Sequence, residues 1–96
     1  KPKVIEIKWD DLVEPLQKFL KNKMSGENPN LADSREKIIQ TMDREPNLGN
    51  GDNEPIIVKY NNEGKIEDIL GGNHRTYAAF ELNNFNPIKM KAYVIE

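Results

Sequence analysis

The residues best placed to do chemistry together lie in Ile69-Leu70-Gly71-Gly72-Asn73-His74-Arg75-Thr76, an apolar strand that ends in two glycines and passes at once into helical spacing. A strand feeding a helix through a glycine turn leaves several backbone N–H groups without partners, and the aligned peptide dipoles add partial positive charge at the same point. Such a bend accepts an anion. Asn73 and Thr76 can cap the helix or donate to a ligand, Arg75 can make a two-pronged contact with phosphate oxygens, and His74 carries a donor whose charge changes near neutral pH. With charged hydrogen bonds contributing about 1.5 to 3 kcal/mol and a helix terminus about 0.3 to 1 kcal/mol, these groups suffice for a nucleotide at micromolar to millimolar Kd. The competing reading is structural. A Gly-Gly turn also occurs simply because a chain must reverse, with His74 or Arg75 paired to a carboxylate such as Asp68.

The elements that must position this turn are legible from periodicity. Val4-Ile5-Glu6-Ile7 predicts a short strand. Asp11 with Glu14 has the form of a capping box, and Leu12, Val13, Leu16, Phe19 and Leu20 follow at helical spacing, so a helix is expected from near Asp11, with Pro15 in its first turn and Trp9 covering the core beside it. Asn22 to Leu31 reads as a loop, and Asp33-Ser34-Arg35-Glu36 as a second capping box opening a helix with the narrow stripe Ile38, Ile39, Met42, stopping near Glu45 before Pro46. After a Gly/Asn-rich connection, Ile56 to Tyr60 and Ile66 to Leu70 form a hairpin around Asn61-Asn62-Glu63-Gly64. The helix after the glycine turn carries Tyr77, Ala78, Ala79, Phe80 and Leu82 and stops at Asn83-Asn84. Beyond Pro87, Ile88, Met90, Ala92 and Val94 alternate with Lys89, Lys91 and Tyr93 as a last strand. The order βααββαβ predicts an α/β (α+β) fold: a small mixed sheet with three helices in one domain spanning 1–96.

Composition narrows the function classes. A chain of 96 residues, 36% hydrophobic and 31% charged, has room for one core and one site. Its 14 basic and 16 acidic residues leave a net charge of -2, so the whole molecule does not attract nucleic acid or an anionic membrane, and any polyanion contact is local. Without Cys there is no disulfide, thiolate metal site or thiol chemistry, and one His excludes a multi-histidine zinc site. No apolar run approaches a membrane span, so a soluble, cytoplasmic site of action is expected. The first residue is Lys, as in an excised domain or processed tail.

Gly71-Gly72-Asn73-His74-Arg75-Thr76-Tyr77-Ala78-Ala79, preceded by a hairpin from Glu54-Pro55-Ile56 and followed by a Pro-Ile strand, resembles the ParB/sulfiredoxin superfamily, whose members carry a Gly-x-His-Arg or Gly-x-Arg-Arg turn at a helix start. The resemblance runs from about Leu31 to the end. It implies that Gly71, Gly72, Asn73, His74, Arg75 and Thr76 hold the phosphates of ATP or CTP, normally with Mg²⁺. The family's preceding helix adds polar side chains, for which Ser34, Lys37 and Thr41 are the candidates, on one helical face. Where sulfiredoxins carry their essential Cys this chain has Asn73, which excludes sulfinic-acid repair, and the extra Thr76 resembles the ParB-like branch. No helix-turn-helix follows, so centromere binding is not expected.

Three functions follow from the resemblance and the residues. The first is a nucleotide-binding domain, with NTP hydrolysis or phosphoryl transfer in which His74 and Arg75 are the catalytic candidates and Glu36 a further candidate for activating water. The second is a ParB-like nuclease or toxin effector acting on nucleic acid, with a cognate protein partner such as an immunity protein. The third is a noncatalytic interaction module in which the turn is structural.

Overall fold

The computed structural model describes residues 1–24, 29–41 and 54–95, with only the backbone of 40 and 41. Its elements run β1 (Lys3–Ile7), a 3-10 turn (Trp9–Asp11), α1 (Glu14–Lys23), α2 (Pro29–Thr41), β2 (Ile56–Tyr60), β3 (Ile66–Gly71), α3 (Asn73–Leu82) and β4 (Ile88–Ile95). This is the expected α+β order. The four strands form one mixed sheet in the order β1-β4-β2-β3. β1 pairs antiparallel with β4, β4 lies parallel to β2, and β2 pairs antiparallel with β3.

Alternation decides which sheet face is covered. Ile88, Met90 and Ala92 of β4, Ile56 and Val58 of β2, and Ile7 of β1 are buried, whereas Lys89, Tyr93, Lys59 and Glu6 are exposed. On the covered face these side chains meet Leu16 and Leu20 of α1, Leu31 and Ile38 of α2, and Ala78, Ala79 and Phe80 of α3 in one apolar cluster. Each large side chain removed from water contributes about 1.5 to 3 kcal/mol, so this cluster holds the helices on the sheet. Trp9 covers its edge as expected, 5.1 Å from the Phe80 ring and 5.2 Å from that of Phe85, both edge-on.

The hairpin follows its turn residues. The Asn61 side-chain oxygen accepts from the backbone N–H groups of Glu63 (2.9 Å) and Lys65 (3.0 Å), and Gly64 adopts φ 79. At the end of α3, Asn84 and Phe85 both have positive φ, and Phe85 N–H reaches back to the Phe80 carbonyl at 2.7 Å, closing the helix where Asn83-Asn84 predicts.

Two helix starts differ from expectation, each for a physical reason. The Asp11 carboxylate accepts from Lys8 N–H (2.8 Å) and so caps the 3-10 turn rather than α1. Leu12 then leaves helical geometry to bridge β3 at Ile66, and Val13 N–H donates to the Ile66 carbonyl (3.0 Å), so α1 begins at Glu14 with Pro15 harmless in its first turn. α2 begins at Pro29, four residues before the Asp33 box, because Pro suits a first helical position whose N–H has no partner. That earlier start brings Leu31 fully into the core, while Ile39 of the expected stripe is exposed. Met42, the stop near Glu45 and the Gly/Asn-rich connection lie outside the described residues.

Candidate functional site

The turn into α3 is built by a close approach of the Gly72 backbone to the Ile56 side chain. Gly71 ends β3 opposite Ile57, and Gly72 then takes φ 96, ψ 27, a left-handed conformation that favours glycine. A Cβ at Gly72 would stand 2.4 Å from Ile56 Cγ2, so the position needs glycine for space as well as for angle. The Gly72 carbonyl accepts two bonds, from Thr76 N–H (2.9 Å) and the Thr76 hydroxyl (2.8 Å). Thr76 is completely buried, so its hydroxyl braces the turn and does not line the surface recess.

Asn73, His74 and Arg75 are the first three residues of α3, whose backbone N–H groups have no intrahelical acceptor, and Gly72 has no side chain with which to cap them. These amides border a recess of about 330 Å³. Gly72, Asn73, His74 and Arg75 line one side of it, and Asn30, Asp33, Ser34 and Lys37 of α2 the other. The expected residues Ser34 and Lys37 are thus brought together with the turn across a shared cavity. Gly71 stays in the strand, Glu36 does not line the recess, and the Thr41 side chain lies outside the described residues.

Three side chains of the recess, Ser34, Asn73 and His74, hold bonding capacity in reserve among the described residues. Ser34 is 9% exposed, and among the described residues no hydrogen bond reaches its hydroxyl. The Asn73 amide donates to the Ile69 carbonyl (3.0 Å), which leaves its oxygen buried without a donor. An orphaned acceptor beneath an open helix terminus is costly in a fold with no use for it. His74 is held below its ordinary pKa by burial and secondarily by the charge of Lys23, so at neutral pH it is an uncharged imidazole. Among the described residues no hydrogen bond occupies it.

Arg75 folds back over the turn. One Nη donates to the Glu54 carbonyl, and the other lies 3.2 Å from the place a Gly72 Cβ would occupy. Burial lowers its pKa and the Glu54 carboxylate opposes that, yet a guanidinium stays charged at any physiological pH. Among the described residues Arg75 makes no ion pair with Asp68, the partner a purely structural turn would supply. Lys37 pairs with Asp33 at 3.1 Å. The recess therefore combines Arg75, Lys37 and the positive end of α3 against one carboxylate, a balance that favours an anion.

Three groups escaped the sequence reading. Asn30 and Asp33 precede Ser34 and Lys37 at helical i, i+3, i+4, i+7 spacing, a signal visible only once the helix is known to start at Pro29. Glu54 acts through a backbone carbonyl, which has no sequence signature. Among the described residues no group of three or more His, Asp and Glu can hold a metal ion, and the recess offers one carboxylate, Asp33, tied to Lys37. A Mg²⁺ ion at this site would come with a nucleotide as the counterion of its phosphates. Compared with known families and curated proteins, the chain matches no family model and no curated protein.

Proposed function

We propose that this chain is a nucleotide-binding domain of ParB/sulfiredoxin type, in which the turn from Gly72 to Arg75 holds phosphate oxygens of ATP or CTP and the facing side of α2 completes the site. The observation that carries this reading is the facing of two donor sets across one recess: the open amides of α3, and the nine-tenths buried Ser34 hydroxyl on α2, which no hydrogen bond reaches among the described residues. Arg75 adds one cation, anchored on the Glu54 carbonyl, and Lys37 a second, paired with Asp33. His74, uncharged when the site is empty, takes up a proton as phosphate approaches, or accepts one from a water attacking that phosphate. In a hydrolytic step Arg75 meets the charge developing on the transferred phosphoryl group.

Isothermal titration with ATP, CTP, GTP and UTP in the presence of Mg²⁺ tests the reading. At least one nucleotide is expected to bind with micromolar to millimolar Kd, and Arg75→Ala to weaken it about 10- to 100-fold, the loss of one charge-assisted contact. Absence of heat with every nucleotide, for wild type and variant alike, removes it.

A further inference from the structure

The two sides of the recess differ in chemistry. The α3 side presents donors: three amides, a guanidinium and an imidazole. The α2 side carries a carboxylate, and a carboxylate accepts but cannot donate. Asp33 has no evident structural duty. It stands within α2 rather than at its N-terminus, so it caps nothing, and its pairing with Lys37 is exposed on both partners, the kind of contact that adds little to stability. Lys37 Nζ approaches only one carboxylate oxygen, Asp33 Oδ2, and a carboxylate has two oxygens that accept, so acceptor capacity remains beside the recess. A bare polyphosphate offers that carboxylate no donor and is repelled by it. A phosphate ester with adjacent hydroxyl groups satisfies both sides, and a volume of about 330 Å³ suits a phosphate with its sugar.

We infer that Asp33 reads the ribose of the bound nucleotide, accepting hydrogen bonds from its 2′- and 3′-hydroxyls, so that the domain selects ribonucleotides over their dideoxy counterparts and over inorganic polyphosphate. This rests on the phosphate-holding role proposed for the Gly72 to Arg75 turn. The carboxylate supplies sugar specificity and the turn supplies anchorage.

The experiment is a calorimetric titration of wild type, Asp33→Ala and Asp33→Asn. The probes are the tightest-binding ribonucleoside triphosphate, its 2′,3′-dideoxy analogue and inorganic tripolyphosphate, each with Mg²⁺ and with EDTA; a thermal melt checks that the variants are folded. Wild type is expected to bind the ribonucleotide about 10- to 100-fold more tightly than the dideoxy analogue in either medium. Both variants should lose that preference while binding tripolyphosphate at least as well as wild type. Equal wild-type affinity for ribo- and dideoxynucleotide, within about twofold, overturns the inference and leaves the phosphate site standing. A variant effect that falls equally on both nucleotides and appears only with Mg²⁺ overturns it as well, because the carboxylate then serves the ion. Failure of wild type to bind any probe overturns the phosphate reading and this inference together.

Discussion

Gly72→Ala tests the geometry on which the candidate site depends. An alanine there adopts a left-handed conformation at a cost of about 1 to 2 kcal/mol. Its Cβ would also meet Ile56 Cγ2 at 2.4 Å and Ile56 Cβ at 3.0 Å, on a fully buried residue of the central strand β2. Relieving such an overlap costs about 1 to 3 kcal/mol more, for a total of about 2 to 5 kcal/mol. In a domain of this size that lowers Tm by about 10 °C or more. Two other glycines separate the contributions. Gly64 shares the positive φ, at 79, with nothing within 4 Å of an added Cβ, so Gly64→Ala isolates the backbone cost of about 1 to 2 kcal/mol. At Gly71 an added Cβ makes ordinary contact with Ile57 Cδ1 at 3.5 Å, so Gly71→Ala should stay within about 1 kcal/mol of wild type. Urea denaturation followed by circular dichroism, with the m-value checked for constancy, ranks the three. If Gly72→Ala proves no more destabilising than Gly64→Ala, the close approach of turn to strand is refuted.

Three further outcomes follow from the same turn. Because the native pKa of His74 lies below its ordinary value of 6.5, the unfolded chain protonates first as pH falls; its contribution to stability is full above that value and declines from about pH 6.5 downward, and His74→Gln should flatten the decline in a melt series. Nucleotide binding near pH 7 should draw a proton onto His74, seen as a dependence of calorimetric heat on buffer ionisation enthalpy that His74→Gln abolishes; a wild type without such dependence contradicts the placement of phosphate beside the ring. Thr76→Val removes the buried hydroxyl bond to Gly72 but keeps the helical bond at the same carbonyl, so denaturation should show a loss of about 0.5 to 1.5 kcal/mol. A neutral result there means the hydroxyl does not brace the turn.

Element types were legible because their signals are local. Alternating Ile88, Met90 and Ala92 face the core, Asn61 to Gly64 carry the chemistry of a tight turn, and Gly71-Gly72 marks the bend from strand into helix. Helix starts were less legible because the signals compete. Asp11 resembles a helix cap, but the strand bridge of Leu12 to Ile66 holds the following residues out of the helix until Glu14. Asp33-Ser34-Arg35-Glu36 resembles another, but burial of Leu31 favours a helix begun four residues earlier at Pro29.

The sequence by itself determined the α+β order, the glycine bend and the residue types that gather there, since each depends on the conformational preferences of neighbouring residues. Only the tertiary structure decided that Thr76 turns inward to brace the bend, that Arg75 is anchored on Glu54, and that Asn30 and Asp33 join Ser34 and Lys37 across from it. The physical reason is distance along the chain. Those arrangements arise where α2 and the start of β2 pack against α3, and interior packing couples residues that no short spacing rule connects.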